Sequence, residues 1–154
     1  MLKRILKLVL PLILTISVVV PQTYARLGDE EEAVVSRNKA AAIHTDSYAE
    51  SNFKTYVFQY TKGFYSVLIV DGRVEAETYA VWDKYSFPSE LLSNELSRYG
   101  DKWNEVDSVL ENTKTFRTVD GEYYAVIGEM KQLKVKKSVT FFTRKWRESG
   151  NTKI

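Results

Sequence analysis

Cysteine is absent from this chain, histidine occurs once, and proline and glycine are sparse, at three and seven in 154 residues. No disulfide can therefore brace the fold, so stability must come from apolar burial. With His44 alone and no thiolates, a zinc or copper site would fall to carboxylates, which select those metals poorly. No calcium loop of the Asp-x-Asp-x-Asp-Gly kind is present. No metal ligand, cofactor-binding residue or cofactor is expected. His44-Thr45-Asp46-Ser47 holds the residue types of a serine triad, but triad members are assembled by geometry rather than adjacency. Nor does any Gly-x-Ser-x-Gly turn present a nucleophile. The segment reads as a solvated loop, and no catalytic residue is assigned.

What is present begins with an apolar N-terminus. Lys3, Arg4 and Lys7 precede the run Leu8 to Val20, and Thr23-Tyr24-Ala25 supplies small residues at a cleavage site, the three parts of a secretory signal. The run is shorter than the roughly 20 residues a spanning helix needs, and Pro11 interrupts it. Residues 1–25 are expected to be a signal peptide removed after Ala25, giving a periplasmic or secreted protein without a transmembrane span. No cysteine follows the site, which excludes a lipoprotein. Losing those three cations turns the formal charge of +2 into −1, so net charge carries no argument for nucleic acid, and none is expected as a partner.

Residues 26–52 read as a polar lead-in, either mobile or a short helix or edge strand over Ala33 to Ile43. Its acidic run Asp29 to Glu32 reads as a solvated face rather than a calcium site. Residues 53–147 read as a single α+β domain: two antiparallel three-stranded β-meanders joined by one helix packed on the sheet. A flexible tail fills 148–154. The first meander runs Phe53 to Thr61, Phe64 to Val70 and Arg73 to Trp82, turned at Lys62-Gly63 and Asp71-Gly72. In its third strand Val74, Ala76, Thr78, Ala80 and Trp82 alternate with Arg73, Glu75, Glu77 and Tyr79, which predicts one buried and one wet face. Ser86-Phe87-Pro88-Ser89 opens the helix, Gly100 closes it, and Leu92, Leu96 and Tyr99 recur on its apolar face. Trp103 and Val106 should continue that packing. The second meander runs Thr115 to Val119, Glu122 to Met130 and Leu133 to Thr143. Tyr60 to Val67 resembles Thr118 to Val126, which suggests a diverged duplication.

Glu75 and Glu77 lie two apart on one strand, roughly 6–7 Å, within the spacing glycosidases use, but an acid needs burial and both are expected on the wet face. The C-terminal region carries the feature with most functional promise. Lys134 and Lys136 fall on one alternation with Phe142, Arg144 and Trp146, and Lys145 follows. Lys134, Lys136, Arg144, Lys145 and Trp146 therefore form a candidate interaction surface for an envelope protein or an anionic surface. Against it stands a plainer use, lysines that keep a late edge strand from aggregating. The tyrosines and tryptophans likewise read as core rather than a sugar-binding face.

The order of Gly63-Phe64, Asp71-Gly72, Ser89-Glu90-Leu91-Leu92, Lys102-Trp103, Asp120-Gly121 and Ala125-Val126 is similar to small exported bacterial proteins of unknown function. In architecture it resembles outer-membrane assembly lipoproteins and β-lactamase inhibitor proteins. That resemblance implies a small binding module and carries over no functional residue, since the chain has no lipid-attachment cysteine, no disulfide pair and no clear first helix before Phe53. The expected function is an exported, non-enzymatic binding module of the cell envelope. The alternatives are a small extracytoplasmic hydrolase and a purely structural envelope protein.

Overall fold

In a computed structural model, residues 26–38, 42–48, 52–87, 89–108, 111–130 and 134–149 are described. The expected signal peptide, 1–25, lies outside them, as does the end of the expected tail. Eight strands form one antiparallel sheet: β1 Ala42–Tyr48, β2 Phe53–Tyr60, β3 Gly63–Val70, β4 Arg73–Trp82, β5 Trp103–Val106, β6 Lys114–Thr118, β7 Tyr123–Met130 and β8 Val135–Thr143. Their order across the sheet is β1-β2-β3-β4-β8-β7-β6-β5. Among the described residues three helices accompany them, α1 Glu31–Arg37, α2 Ser89–Tyr99 and α3 Arg144–Glu148. The chain thus writes one pattern twice, a helix followed by a four-stranded meander, and joins the halves where β4 pairs with β8.

The expected α+β class and the two meanders joined by a helix on the sheet are present, and each meander gains a fourth, outer strand. β1 falls in the expected lead-in. β5 contains Trp103 and Val106, which pair with Thr118 and Thr115 of β6. The similar stretches Tyr60 to Val67 and Thr118 to Val126 occupy matching places, the turns between the second and third strands of each half.

Turn chemistry sets the registers. Asp71 and Gly72 both have positive φ, 51° and 77°, as a two-residue type I′ hairpin requires. Thr61-Lys62 makes the preceding turn, where Tyr60 pairs with Gly63. A Cβ on Gly63 would sit 1.8 Å from the Ala80 carbonyl oxygen, so only glycine lets β3 approach β4 there.

The lead-in is part of the fold. Gly28 N–H donates to the Val74 carbonyl at 2.7 Å and Val74 N–H to the Asp29 carbonyl at 2.9 Å, tying the segment to the start of β4. Val34 on α1 is fully buried, and Asn38 past its end donates to the Val34 carbonyl. Glu31 accepts from Lys54 and Tyr56 of β2, so the acidic run is partly engaged with the sheet rather than wholly solvated. Those two donors, the Tyr56 bond first, hold the Glu31 carboxyl below its usual range.

A β-bulge corrects the expected faces of β4. Ile69 pairs with Val74 but Leu68 with Ala76, leaving Glu75 as the extra residue. Alternation therefore changes phase, and Val74 joins Glu77 and Tyr79 on the face under the helices. Ala76, Thr78, Ala80 and Trp82 take the opposite face. One core results, with Phe58, Tyr65, Val67, Ile69, Val139 and Phe141 beneath Val34, Leu92, Leu96 and Tyr99. Each large aromatic there removes roughly 150–250 Å² from water, which does the work that disulfides do elsewhere.

Candidate functional site

Glu77 is 1 % exposed, so the wet-face expectation is overturned for it, and Glu75, at 8 %, is buried as well. The reason is α2, which lies over that face. Three phenols converge on Glu77: Tyr65 donates to it at 2.9 Å, Tyr79 reaches it at 3.2 Å, and Tyr99 donates to its other oxygen. Tyr99 in turn accepts from the Leu27 N–H at 3.2 Å, which links the start of the described chain to the sheet. Glu95 and Arg98, one helical turn apart on α2, pair with each other, and both reach the Tyr79 hydroxyl. Burial pushes Glu77 up to about 7, although the Tyr99 and Tyr65 bonds and the Arg98 charge oppose the rise. The same burial, with the Glu77 charge, pushes Tyr65, Tyr79 and Tyr99 upward. Glu77 thus holds its proton nearer neutral pH, as a general acid does, but without the access to solvent that substrate would need. Glu75 is turned elsewhere by the bulge, where Thr143 donates to it and Lys145 lies 3.7 Å away.

The opposite face of the sheet is the larger feature, and its composition follows from register. Three rows run across it, the first over five strands and the other two over six. The first is Gln59, Phe64, Ala80, Ser138 and Gly128; the second is Val57, Ser66, Thr78, Thr140, Val126 and Thr115. The third is Thr55, Leu68, Ala76, Phe142, Tyr124 and Arg117. Arg117 is the one charged residue among them. Small side chains occupy the middle, where the Thr78 and Thr140 hydroxyls bond at 2.9 Å. Larger groups stand around this floor: Phe64 against Trp82 at 5.5 Å, and Tyr124 stacked on Phe142 at 5.5 Å. α1 and α2 pack on the other side. Among the described residues α3 reaches this face at one end, where Trp146 meets Phe53 edge-on at 5.4 Å and Arg147 lies over Tyr124 at 4.5 Å, and the loop before β6 reaches it beside Thr115, which donates to Ser108 at 3.1 Å, and Gly128, against which Thr113 packs.

The five residues of the expected basic surface are divided by the fold. β8 is central, between β4 and β7, so the edge-strand explanation of its lysines does not apply. Lys134 precedes β8 with φ 55°, and Lys136 sits at a second bulge, where Val81 pairs with Lys137 and Trp82 with Val135. Arg144, Lys145 and Trp146 belong to α3 at the other end, about 27 Å from Lys136 at the strand's rise per residue. Arg144 pairs there with Glu122 and Glu148, and Lys145 with Glu75. The expected aromatic core is real, with Tyr65, Tyr79, Trp103 and Tyr123 in it, while Trp82, Tyr124 and Trp146 line the far face or its end. The far face was missed in the sequence because alternation does not say which face the helices cover, and because the bulge at Glu75 moves Val74 onto the face of Glu77 and Tyr79. Among the described residues no group of three or more His, Asp or Glu side chains could hold a metal ion, and no helix is long and apolar enough to cross a membrane.

No protein-family model matches the chain, and none of the curated proteins does. Among solved structures it is similar to a cysteine-rich secretory protein from Staphylococcus aureus, at 17% identity and a TM-score of 0.40. The match covers 77% of this chain and 45% of that one.

Proposed function

We propose that this protein is an exported, non-enzymatic binding module whose far sheet face receives a polypeptide partner. The observation that carries the reading is a broad, nearly uncharged face opposite α1 and α2, on which Val57, Ser66, Leu68, Thr78, Thr140 and Val126 are half-buried. Five strand spacings by two row spacings span about 24 by 14 Å, a few hundred Å². Its breadth and its small-residue floor suit a largely uncharged protein surface better than an anionic polymer, because Arg117 alone among the three rows offers charge. The sealing of Glu77 beneath α2 supports a non-enzymatic role, and the separation of Lys136 from Arg144 and Lys145 argues against one continuous basic patch.

A photo-crosslinking residue at Leu68 and, separately, at Val126 tests the reading in the exporting cell. The same polypeptide should be captured from both positions, not from Asn94 on α2, and Thr78→Arg should abolish capture while leaving the fold intact. The purified partner should then slow amide exchange in β3, β4 and β8. Capture from Lys136 or Lys145 with none from Leu68 and Val126 would move the site to the basic ends of β8.

A further inference from the structure

His44 and Asp46, set aside above as a triad, lie on a strand rather than in a loop. They stand in register with Val57 and Thr55 of β2. β1 is outermost in the sheet, and among the described residues nothing pairs with its outer edge. An unpaired edge is a template for another strand, and proteins usually blunt it by shortness, lysine or proline. β5, the other outer strand, has four residues, and its Glu105 contacts Lys114 of β6. β1 has seven, Ala-Ile-His-Thr-Asp-Ser-Tyr, with no lysine, arginine or proline.

We propose that β1 pairs antiparallel with β1 of a second copy of this chain, about a two-fold axis at Thr45. A two-fold pairing that uses all seven residues has a single register. It sets Ala42 opposite Tyr48, Ile43 opposite Ser47, His44 opposite Asp46, and Thr45 opposite its own counterpart. That register brings the two ionisable positions of the strand opposite each other twice. Any other two-fold register shortens the overlap and takes His44 out of line with Asp46. Symmetric self-pairing of this kind is an isologous contact that closes at two copies. It places the far faces of both copies on the same side of one continuous sheet, although it does not depend on what those faces bind.

The absence of cysteine makes the test clean, since one introduced thiol is the only thiol in the full chain. Directly opposed residues in an antiparallel pair stand about 4.5–5.5 Å apart at Cα, inside the range of about 4.4–6.8 Å that a disulfide bridges. Thr45→Cys should therefore link to its own copy on mild oxidation. Ile43→Cys and Ser47→Cys should each fail alone, being offset by about 14 Å from their counterparts, and should link when mixed. Adding Asp46→Lys to Thr45→Cys should lower the linked fraction roughly three- to tenfold, in line with the modest strength of opposed charge pairs. His44→Asp on top of Asp46→Lys should restore it, which separates lost pairing from lost folding. The proposal is overturned if Thr45→Cys links no better than Asn94→Cys, if Ile43→Cys links equally well by itself, or if the exchanged pair restores nothing.

Discussion

At the scale of the residue, Glu77 concentrates the cost of this fold. A carboxyl raised to about 7 in the native state, against 4.5 when unfolded, binds more protons folded than unfolded between those values. Stability therefore falls as pH rises through that window, and the full penalty, on the order of 3 kcal/mol, is present above it. Glu77→Gln keeps an acceptor for the phenols and removes the titration. We expect it to match the parent near pH 5 and to exceed it in urea unfolding near pH 8. A parent whose stability is flat from pH 5 to 8 would contradict the buried, raised acid. The sequence showed Glu75 and Glu77 as a pair of equals on a solvent face. It could not show otherwise, because which carboxylate is covered depends on a helix that follows later in the chain.

At the scale of the element, α1 tests whether the lead-in belongs to the domain. Its seven residues are too few to be stable alone, so it exists through packing and through the bonds of Glu31 to β2. Val34→Ala should cost about 2 kcal/mol by cavity formation in a core that has no disulfide to compensate. A change below about 0.5 kcal/mol in chemical denaturation, the range of surface substitutions, would return the segment to the status of a mobile arm. Hairpins around Asp71-Gly72 and the helix ending before Gly100 were legible because turn and cap residues act locally. α1 and β1 were not, since neither has strong periodicity and each is stabilised by partners distant in sequence.

At the scale of the whole molecule, the strand order makes β4 and β8 the centre of the sheet although one ends the first half and the other ends the second. Pairing on both sides and the core above them should give their amides the slowest native-state exchange, with β1 and β5 faster at the two edges. Slowest exchange in β2 and β3, with β8 fast, would mean that the halves open independently rather than as one sheet. The same centrality changes the meaning of the basic C-terminal region. Lysines that read as an edge defence flank a central strand, and the cations around Trp146 gather on a separate helix.

The sequence alone determined the α+β class, most strand boundaries, the connecting helix and the dependence on aromatic burial, because each follows from local turn chemistry, short-range periodicity or composition. Tertiary structure decided the joining of the halves through β4 and β8, the bulge at Glu75 and the face that α2 covers. Those choices rest on contacts between residues such as Glu77 and Tyr99, or Ala76 and Phe142, whose association only the closed sheet creates.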